Sequence, residues 1–290
     1  MILIELYQNI SSRLVNITNS KIESSAEADL ILSSSLASKY LSKKFSKELL
    51  YGSMSNYEIS DEMVSFINNV ILEREQGVPL QYILNESWFF GLRFSVFENE
   101  LQKTFIPRNE TEVIIQESLK HLKNIDRDAA ALDIGTGSGA IPISITFNHD
   151  QKIEWNAIDP YLTNIPLKNA KYHLVEKQIK FFKSNISNFI LKINKKYDLI
   201  TANLPYVPLS SQIAREVAQE PIEAIYGGND GLLYIKEVLD VIPKILQENG
   251  LAIFEIDPSQ DKFFKDLKSK FKIKVINDLQ DLPRIVIISY

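Results

Sequence analysis

The sequence predicts an α/β protein in which a largely parallel sheet with flanking helices follows a small helical domain. Three observations predict it. From Thr111 onward, apolar runs of four to six residues alternate with amphipathic helical patterns, the signature of successive βα units. A glycine-rich turn, Gly135-Thr136-Gly137-Ser138-Gly139, directly follows the first of those runs. Residues 1–75, by contrast, hold no proline and only one glycine, Gly52, and space their apolar residues helically.

The elements follow in order. Leu30, Leu32, Leu36, Tyr40 and Leu41, then Met63, Phe66, Ile67, Val70 and Ile71, mark helices of an N-terminal domain over residues 1–76. That region carries seven Lys/Arg against ten Asp/Glu, a net charge of −3 that excludes a basic nucleic-acid clamp. Aromatic and β-branched residues then cluster between Gly77 and Glu100, with Asn85-Glu86 and Gly91 as turn material, so a β-hairpin linker is expected over 77–105. The main domain takes 106–290, with strands expected at Ala130–Ile134, Ile153–Ile158, Ile179–Lys183, Tyr197–Ala202, Leu251–Ile256, Ile273–Asn277 and Arg284–Ser289. The last two have no helix between them and should pair antiparallel at one end of the sheet. Helices are expected at Glu112–Leu122, Ser138–Phe147, Leu167–Leu174, Leu232–Gln247, kinked at Pro243, and Gln260–Phe271.

Composition narrows the function. At 290 residues the chain is about twice the usual domain size, and 45% hydrophobic with 24% charged residues is the balance of a folded globular chain. Zero cysteines exclude disulfides and thiolate metal sites, and His121, His149 and His173 have no metal-ligand spacing, so no metal is expected. The histidines read as surface or packing residues. A net charge of −5 argues against a partner held through its phosphates, so no direct nucleic-acid partner is expected. Glu5 and the lack of a basic leader in MILIELYQNI, with no run of about 18 uncharged apolar residues, argue against a signal peptide and a membrane partner. Cytoplasmic residence is the expectation.

The chemistry gathers at strand ends. In AALDIGTGSGAIPIS, small residues between a strand and a helix let the backbone approach a ligand, while the helix start offers free N–H groups. Gly135-x-Gly137-x-x-Ala140 also satisfies a dinucleotide fingerprint with alanine in its last place. Asp159, at the tip of the next strand, is placed to accept hydrogen bonds from a ribose diol. These two features admit either NAD or S-adenosylmethionine. The fourth strand decides, because it ends in Asn203-Leu204-Pro205-Tyr206 where open α/β sheets put their ligands. Pro205 forces Leu204 extended, so the Asn203 side-chain oxygen and the Leu204 carbonyl can each take one hydrogen of a planar NH2 group, with Tyr206 as a flat face beside it. Such a site suits methyl transfer to an amide or exocyclic amine, whose delocalised lone pair needs alignment at about 3–3.5 Å more than it needs a base.

With these motifs the sequence resembles the protein glutamine methyltransferases of the release factor type, over nearly the whole chain after Val78. VPLQYILNESWFFGLRF is similar to that family's linker hairpin, IPRNETE (Ile106–Glu112) to its IPRPETE segment, and LDIGTGSGAI to its cofactor loop. QEPIEAIYGGNDGL (Gln219–Leu232), FEID with a following Gln, and DLQDLPR (Asp278–Arg284) resemble its later segments. The resemblance implies a seven-stranded Rossmann-like class I methyltransferase domain. It also implies S-adenosylmethionine as cofactor, with Asp133, Gly135 and Gly137 at the methionine end, Asp159 at the ribose, Asn185 near the adenine, and Thr136 and Asn203 among the cofactor-binding residues. Asn203, Leu204, Pro205 and Tyr206 become the catalytic segment, and the substrate becomes the glutamine of the Gly-Gly-Gln motif in peptide chain release factors, gripped with help from the helical domain.

Two positions depart from the family pattern. Asn185 stands where an aspartate is usual, keeping an acceptor and losing a charge, and Leu204 replaces the first proline of NPPY, where only the main-chain carbonyl is needed. Arg108, Glu110 and Glu112 match family positions and could equally form a capping box with Thr111 and an ion pair. Glu220 and Pro221 are expected to buttress the 203–206 loop. A glutamine methyltransferase of a ribosomal protein would share every motif. A DNA amino-methyltransferase would need a basic recognition region. A noncatalytic binding module would have no use for Asn203 and Tyr206, and an NAD oxidoreductase leaves the NLPY segment unexplained.

Overall fold

The computed structural model describes residues 1–41, 45–46, 50–52, 57–278 and 280–290. Leu279, within the DLQDLPR segment, and parts of the expected N-terminal domain lie outside the described residues. The described residues separate into two compact units, Met1–Glu86 with Ala214–Gln219 and Ser87–Ile213 with Glu220–Tyr290.

In the first unit, helices α1 (Leu3–Thr18), α2 (Lys21–Ser33), α3 (Asp61–Glu75) and α4 (Leu80–Leu84) bury one apolar cluster that includes Leu6, Ile10, Leu14, Ile31, Met63, Ile67 and Ile71. Ser20 and Ser60 cap α2 and α3, each hydroxyl accepting from the backbone N–H three residues on, at 3.2 and 3.3 Å. Arg74 is only 2% exposed, yet its charge is matched. Its guanidinium donates to both Glu27 carboxylate oxygens at 3.0 and 2.7 Å, to Glu216 at 3.0 Å and to the Val78 carbonyl at 2.8 Å.

The second unit opens with two hairpins. β1 (Ser87–Phe89) and β2 (Leu92–Phe94) turn at Phe90-Gly91, both at positive φ, 49° and 74°. The turn uses Gly91, one of the two expected turn sites, while at the other Asn85 ends α4 in the left-handed conformation. The Phe90 N–H donates to Glu112 at 2.8 Å, which pins the turn, and β3 (Phe97–Asn99) with β4 (Gln102–Lys103) makes the second hairpin. The stretch 77–105 thus gives α4 to the first unit and both hairpins to the second.

After α5 (Glu112–Leu122) come β5 (Ala129–Ile134), α6 (Ala140–Phe147), β6 (Ile153–Asp159), α7 (Ile165–Tyr172), β7 (Ile179–Lys183), α8 (Ile186–Ile190), β8 (Tyr197–Ala202), α9 (Leu233–Ile245), β9 (Leu246–Glu255), α10 (Asp261–Asp266), β10 (Lys272–Asn277) and β11 (Pro283–Ser289). The seven strands β5–β11 form one sheet in the order β10-β11-β9-β8-β5-β6-β7. All pairings among β5–β9 are parallel, while β11 runs antiparallel to both β9 and β10. The last two strands do pair antiparallel at one end, with the final one inserted next to β9. Alternation along the strands sends Leu132, Ile134, Ile200 and Phe254 into a core under α9, and Ala131, Trp155, Leu199 and Ile253 into another under α5 and α6.

Several boundaries differ from expectation, among them that of the helix after β5, the start of β9 and the end of α10. The helix expected from Ser138 starts at Ala140, because Gly139 still holds a loop conformation at φ 77°. β9 starts at Leu246, five residues early, through its pairing with Tyr197. The helix expected over Gln260–Phe271 is α10 followed by a 3-10 turn at Leu267–Ser269. Pro243 sits in the last turn of α9.

Candidate active site

Four adjacent strands, β9-β8-β5-β6, carry polar groups at or just past their carboxyl ends: Glu255, Asn203, the glycine loop after Ile134, and Asp159. The sheet changes winding direction at β5, where a crevice is expected beyond the strand ends.

The loop after β5 is tied from below and open on its far side. The Gly135 and Thr136 N–H groups both donate to the Ile158 carbonyl, at 2.9 and 3.1 Å. Gly135 and Gly137 take φ of 74° and 51°, a region costly to side-chain-bearing residues. A Cβ on Gly137 would meet nothing within 4 Å, so the backbone there faces open space. Asp159 braces the same loop: one carboxylate oxygen accepts from the Gly137 N–H at 3.0 Å, the other from the Tyr161 N–H at 2.8 Å. Each oxygen keeps a second lone pair for a ligand hydroxyl. Burial raises the Asp159 carboxyl above the ordinary range, and those two amides oppose the rise.

Asp133 lies beneath the loop, 1% exposed. One carboxylate oxygen accepts from the Thr201 hydroxyl at 2.6 Å, while the other, and the nearby Thr136 hydroxyl, are buried without a well-formed hydrogen bond among the described residues. Burial pushes the Asp133 carboxyl up to about 6, with the nearby Thr136 and Thr201 hydroxyls opposing the rise and the Asp159 charge adding to it. A buried acceptor with no donor at a glycine loop fits a ligand that brings a cation.

The segment Asn203–Tyr206 meets this loop directly. A Cβ on Gly135 would lie 3.2 Å from the Leu204 side chain and 3.5 Å from the Asn203 carbonyl oxygen. The Asn203 amide nitrogen donates to the Thr111 hydroxyl and to a Glu255 carboxylate oxygen, both at 3.0 Å. The Thr111 hydroxyl donates to that same oxygen at 2.6 Å, and the Tyr206 hydroxyl donates to the other Glu255 oxygen at 3.2 Å. No donor of the described residues bonds the Asn203 side-chain oxygen or the Leu204 carbonyl, so the expected acceptor pair is uncommitted. Burial raises the Glu255 carboxyl, and the hydroxyls of Thr111 and Tyr206 and the Arg284 charge oppose it. Burial likewise holds the Tyr206 phenol well above its ordinary range, which keeps it a hydrogen-bond donor.

The glycines of Gly227-Gly228-Asn229-Asp230-Gly231 hold the loop from outside. A Cβ on Gly227 would fall 2.3 Å from the Pro205 carbonyl oxygen, and one on Gly231 2.1 Å from that of Tyr206. Gln260 completes the brace, its amide nitrogen donating to the Gly231 carbonyl at 2.9 Å. Glu220 does something other than expected: it takes the Ile106 N–H at 2.9 Å and the Arg108 guanidinium, and so fixes the IPRNE segment rather than the 203–206 loop. Arg108 also stacks over Phe105 at 4.7 Å.

Asp133, Gly135, Thr136, Gly137, Asp159, Asn203, Leu204, Pro205 and Tyr206 are therefore gathered at one edge of the sheet. Asn185 stands apart in role, capping α8 with its side-chain oxygen on the Asn188 N–H at 2.9 Å. Thr111, expected as a helix cap, makes no side-chain cap bond and turns its hydroxyl to Glu255 instead, and Glu255 carries no expected role. The usable signal was a lone carboxylate at the end of the apolar run LAIFE, placed as Asp159 is placed at the end of its own strand. His121 and His173 bond the main-chain oxygens of Asp198 and Arg93, and no cluster of three metal-type side chains occurs among the described residues.

A parallel sheet carrying one antiparallel strand beside its edge, with a glycine loop, an acidic second strand tip and an NLPY segment after the fourth strand, defines a class I methyltransferase fold. Methyltransferases of this class use S-adenosylmethionine. The chain is 30% identical over 238 residues to the release factor glutamine methyltransferase of Bacillus subtilis, covering 78% of this chain and 80% of that protein. Its identity to the one of Thermodesulfovibrio yellowstonii is 32% over 260 residues, 84% and 88% of the two chains, and to that of Flavobacterium psychrophilum 37% over 217 residues, 71% and 72%. The chain belongs to the release factor glutamine methyltransferase family. No protein-family profile matches it. Similar solved structures include the human Mettl16 catalytic domain in complex with an RNA hairpin, 16% identical over 79% of this chain and 82% of that one with a TM-score of 0.48. Another is the ribosomal protein L11 methylase of Lactobacillus delbrueckii, 18% identical over 64% and 80% with a TM-score of 0.43.

Proposed function

We propose that this chain methylates the side-chain amide nitrogen of the glutamine in the Gly-Gly-Gln motif of a peptide chain release factor, using S-adenosylmethionine. The observation that carries the reading is the uncommitted acceptor pair, Asn203 side-chain oxygen and Leu204 carbonyl, in contact with the glycine loop. When bound, the cofactor supplies an electrophilic sulfonium methyl. Asp133 and Thr136 suit its methionine end and Asp159 its ribose, on the strength of the buried unbonded oxygens and the spare lone pairs. Asn203 and Leu204 each take one N–H of the substrate amide, which removes its freedom to rotate, and Tyr206 bounds it on one side. As the new C–N bond forms and the C–S bond breaks, positive charge grows on the amide, and both acceptors strengthen their hold. One N–H proton then leaves to solvent. The acidic helical unit is proposed to grip the protein substrate, and a translation factor as substrate puts the reaction in the cytoplasm.

The test is labelled S-adenosylmethionine with a release factor, a ribosomal protein and DNA, followed by mass-spectrometric location of the methyl. The expected result is label on the release-factor glutamine, lost when that glutamine is replaced by alanine. Label only on the ribosomal protein establishes the competing substrate, and label on none overturns the proposal.

A pH dependence follows from Asp133. Its folded value, about 6, lies above the ordinary 3.8, so its ionisation costs folding stability progressively across that interval, and a bound cation relieves the cost. Affinity for S-adenosylmethionine, whose ammonium would meet Asp133, is therefore expected to fall as pH drops through about 6. Calorimetric titration between pH 8 and 5 checks this, and Asp133→Asn should flatten the profile while weakening binding throughout.

A further inference from the structure

We infer that Glu255 is a positioning residue for methyl transfer: it fixes which way round the Asn203 amide stands, and so presents an oxygen rather than an NH2 to the substrate. The inference rests on the methyl-transfer reading and adds to it a residue outside the NLPY segment.

An asparagine side chain has nearly the same shape in its two amide orientations, and its neighbours decide between them. For a site that must receive two N–H groups, the flipped orientation is fatal, because an NH2 would face an NH2. Glu255 settles the choice by its chemistry. Its Oε2 receives the Thr111 hydroxyl at 2.6 Å and so stands as an acceptor, and whatever else faces that oxygen must be a donor. On Asn203 that can only be the amide nitrogen, found 3.0 Å away. Thr111 sharpens the selection. Its single hydroxyl proton is spent on Glu255 at 2.6 Å, so toward Asn203, at 3.0 Å, it can only accept. Both protons of the Asn203 NH2 are thereby used, and the oxygen is left over. The other Glu255 oxygen takes the Tyr206 hydroxyl at 3.2 Å, so one buried carboxylate sets two members of the same loop.

A carboxyl this deep, at 2% exposure, needs hydrogen-bond partners. Within the site, Thr111, Asn203 and Tyr206 supply it with three hydrogen bonds. Arg284 adds a favourable charge while ion-paired to Asp278 at 3.2 Å. A purely structural carboxylate has no need of neighbours that are themselves substrate-facing.

The test compares wild type, Glu255→Gln, Thr111→Val and the double variant for kcat and KM on a release factor, S-adenosylmethionine affinity by calorimetry, and thermal midpoint. The glutamine amide that Glu255→Gln introduces keeps the shape and can turn its own donor toward Asn203. The expected result is a kcat lowered about 100-fold in Glu255→Gln and about tenfold in Thr111→Val, at unchanged cofactor affinity. Because both act through one amide, the double variant should be no slower than Glu255→Gln alone. Wild-type kcat in Glu255→Gln, losses that multiply to about 1000-fold in the double variant, or a parallel loss of cofactor affinity each overturn the inference. Should Glu255→Gln not fold, Thr111→Val alone decides, by a fall in kcat without a change in affinity or by no change at all. A wild-type enzyme that transfers no methyl overturns the methyl-transfer reading itself, a result no variant can imitate.

Discussion

Asn203→Ala is expected to lower methyl transfer by about 100- to 1000-fold while leaving S-adenosylmethionine affinity within about twofold of wild type. The asparagine oxygen is proposed as one of two acceptors for the substrate amide, and its loss would leave that amide free to turn about the Leu204 carbonyl. The truncation also strips the Glu255 and Thr111 oxygens of a donor, so some stability should be lost as well, on the order of 1–3 kcal/mol. The cofactor contacts proposed above lie on the glycine loop and Asp159, which the substitution leaves in place. Single-turnover transfer of a labelled methyl, paired with calorimetric titration, separates the two quantities. Turnover near the wild-type rate would remove Asn203 from the chemistry.

Gly231→Ala is expected to be nearly as damaging, although residue 231 lies outside the 203–206 segment. The added methyl would sit 2.1 Å from the Tyr206 carbonyl oxygen and 3.0 Å from its carbon, and both are backbone atoms that can yield only if the 203–206 loop moves. The position also holds φ at 73°, which disfavours any side chain. A shift near 1 Å in this loop corresponds to about 100-fold in rate. The strain should cost about 1–3 kcal/mol of stability, read as a lowered urea midpoint. An alanine variant with wild-type rate and midpoint would mean that the loop has slack the contacts do not suggest.

Much of this site is legible as linear text. Asp133 with its glycine loop, Asp159 and the Asn203–Tyr206 segment each sit at the end of a buried apolar run, and β7, β8 and α5 fall on the expected residues. Strong local signals coincide with strong burial there. Thr111 and Glu255 were not legible, because their meaning comes from bonds to Asn203 across 92 and 52 residues of chain. The same holds for Glu220, which reaches back 114 residues to the Ile106 N–H. At the hairpin turn Gly91 is legible and its neighbour is not, because Phe90 is a poor turn former. Phe90 takes positive φ because its ring packs on the core beside Phe89 and Phe94 and its N–H is held by Glu112. The early start of β9 is likewise set by a partner, since Gln247-Glu248-Asn249 has no strand character of its own.

Arg74 bears on how this protein can be taken apart. One of its two anionic partners, Glu216, lies 142 residues downstream, in the short piece of chain that packs with the helices rather than with the sheet. A gene fragment cut after Glu86 would contain every one of those helices yet leave an internal guanidinium with half its counter-charge. Excision by a single cut therefore yields a handicapped product, and dissection of this enzyme calls for supplying residues 214–219 as a graft.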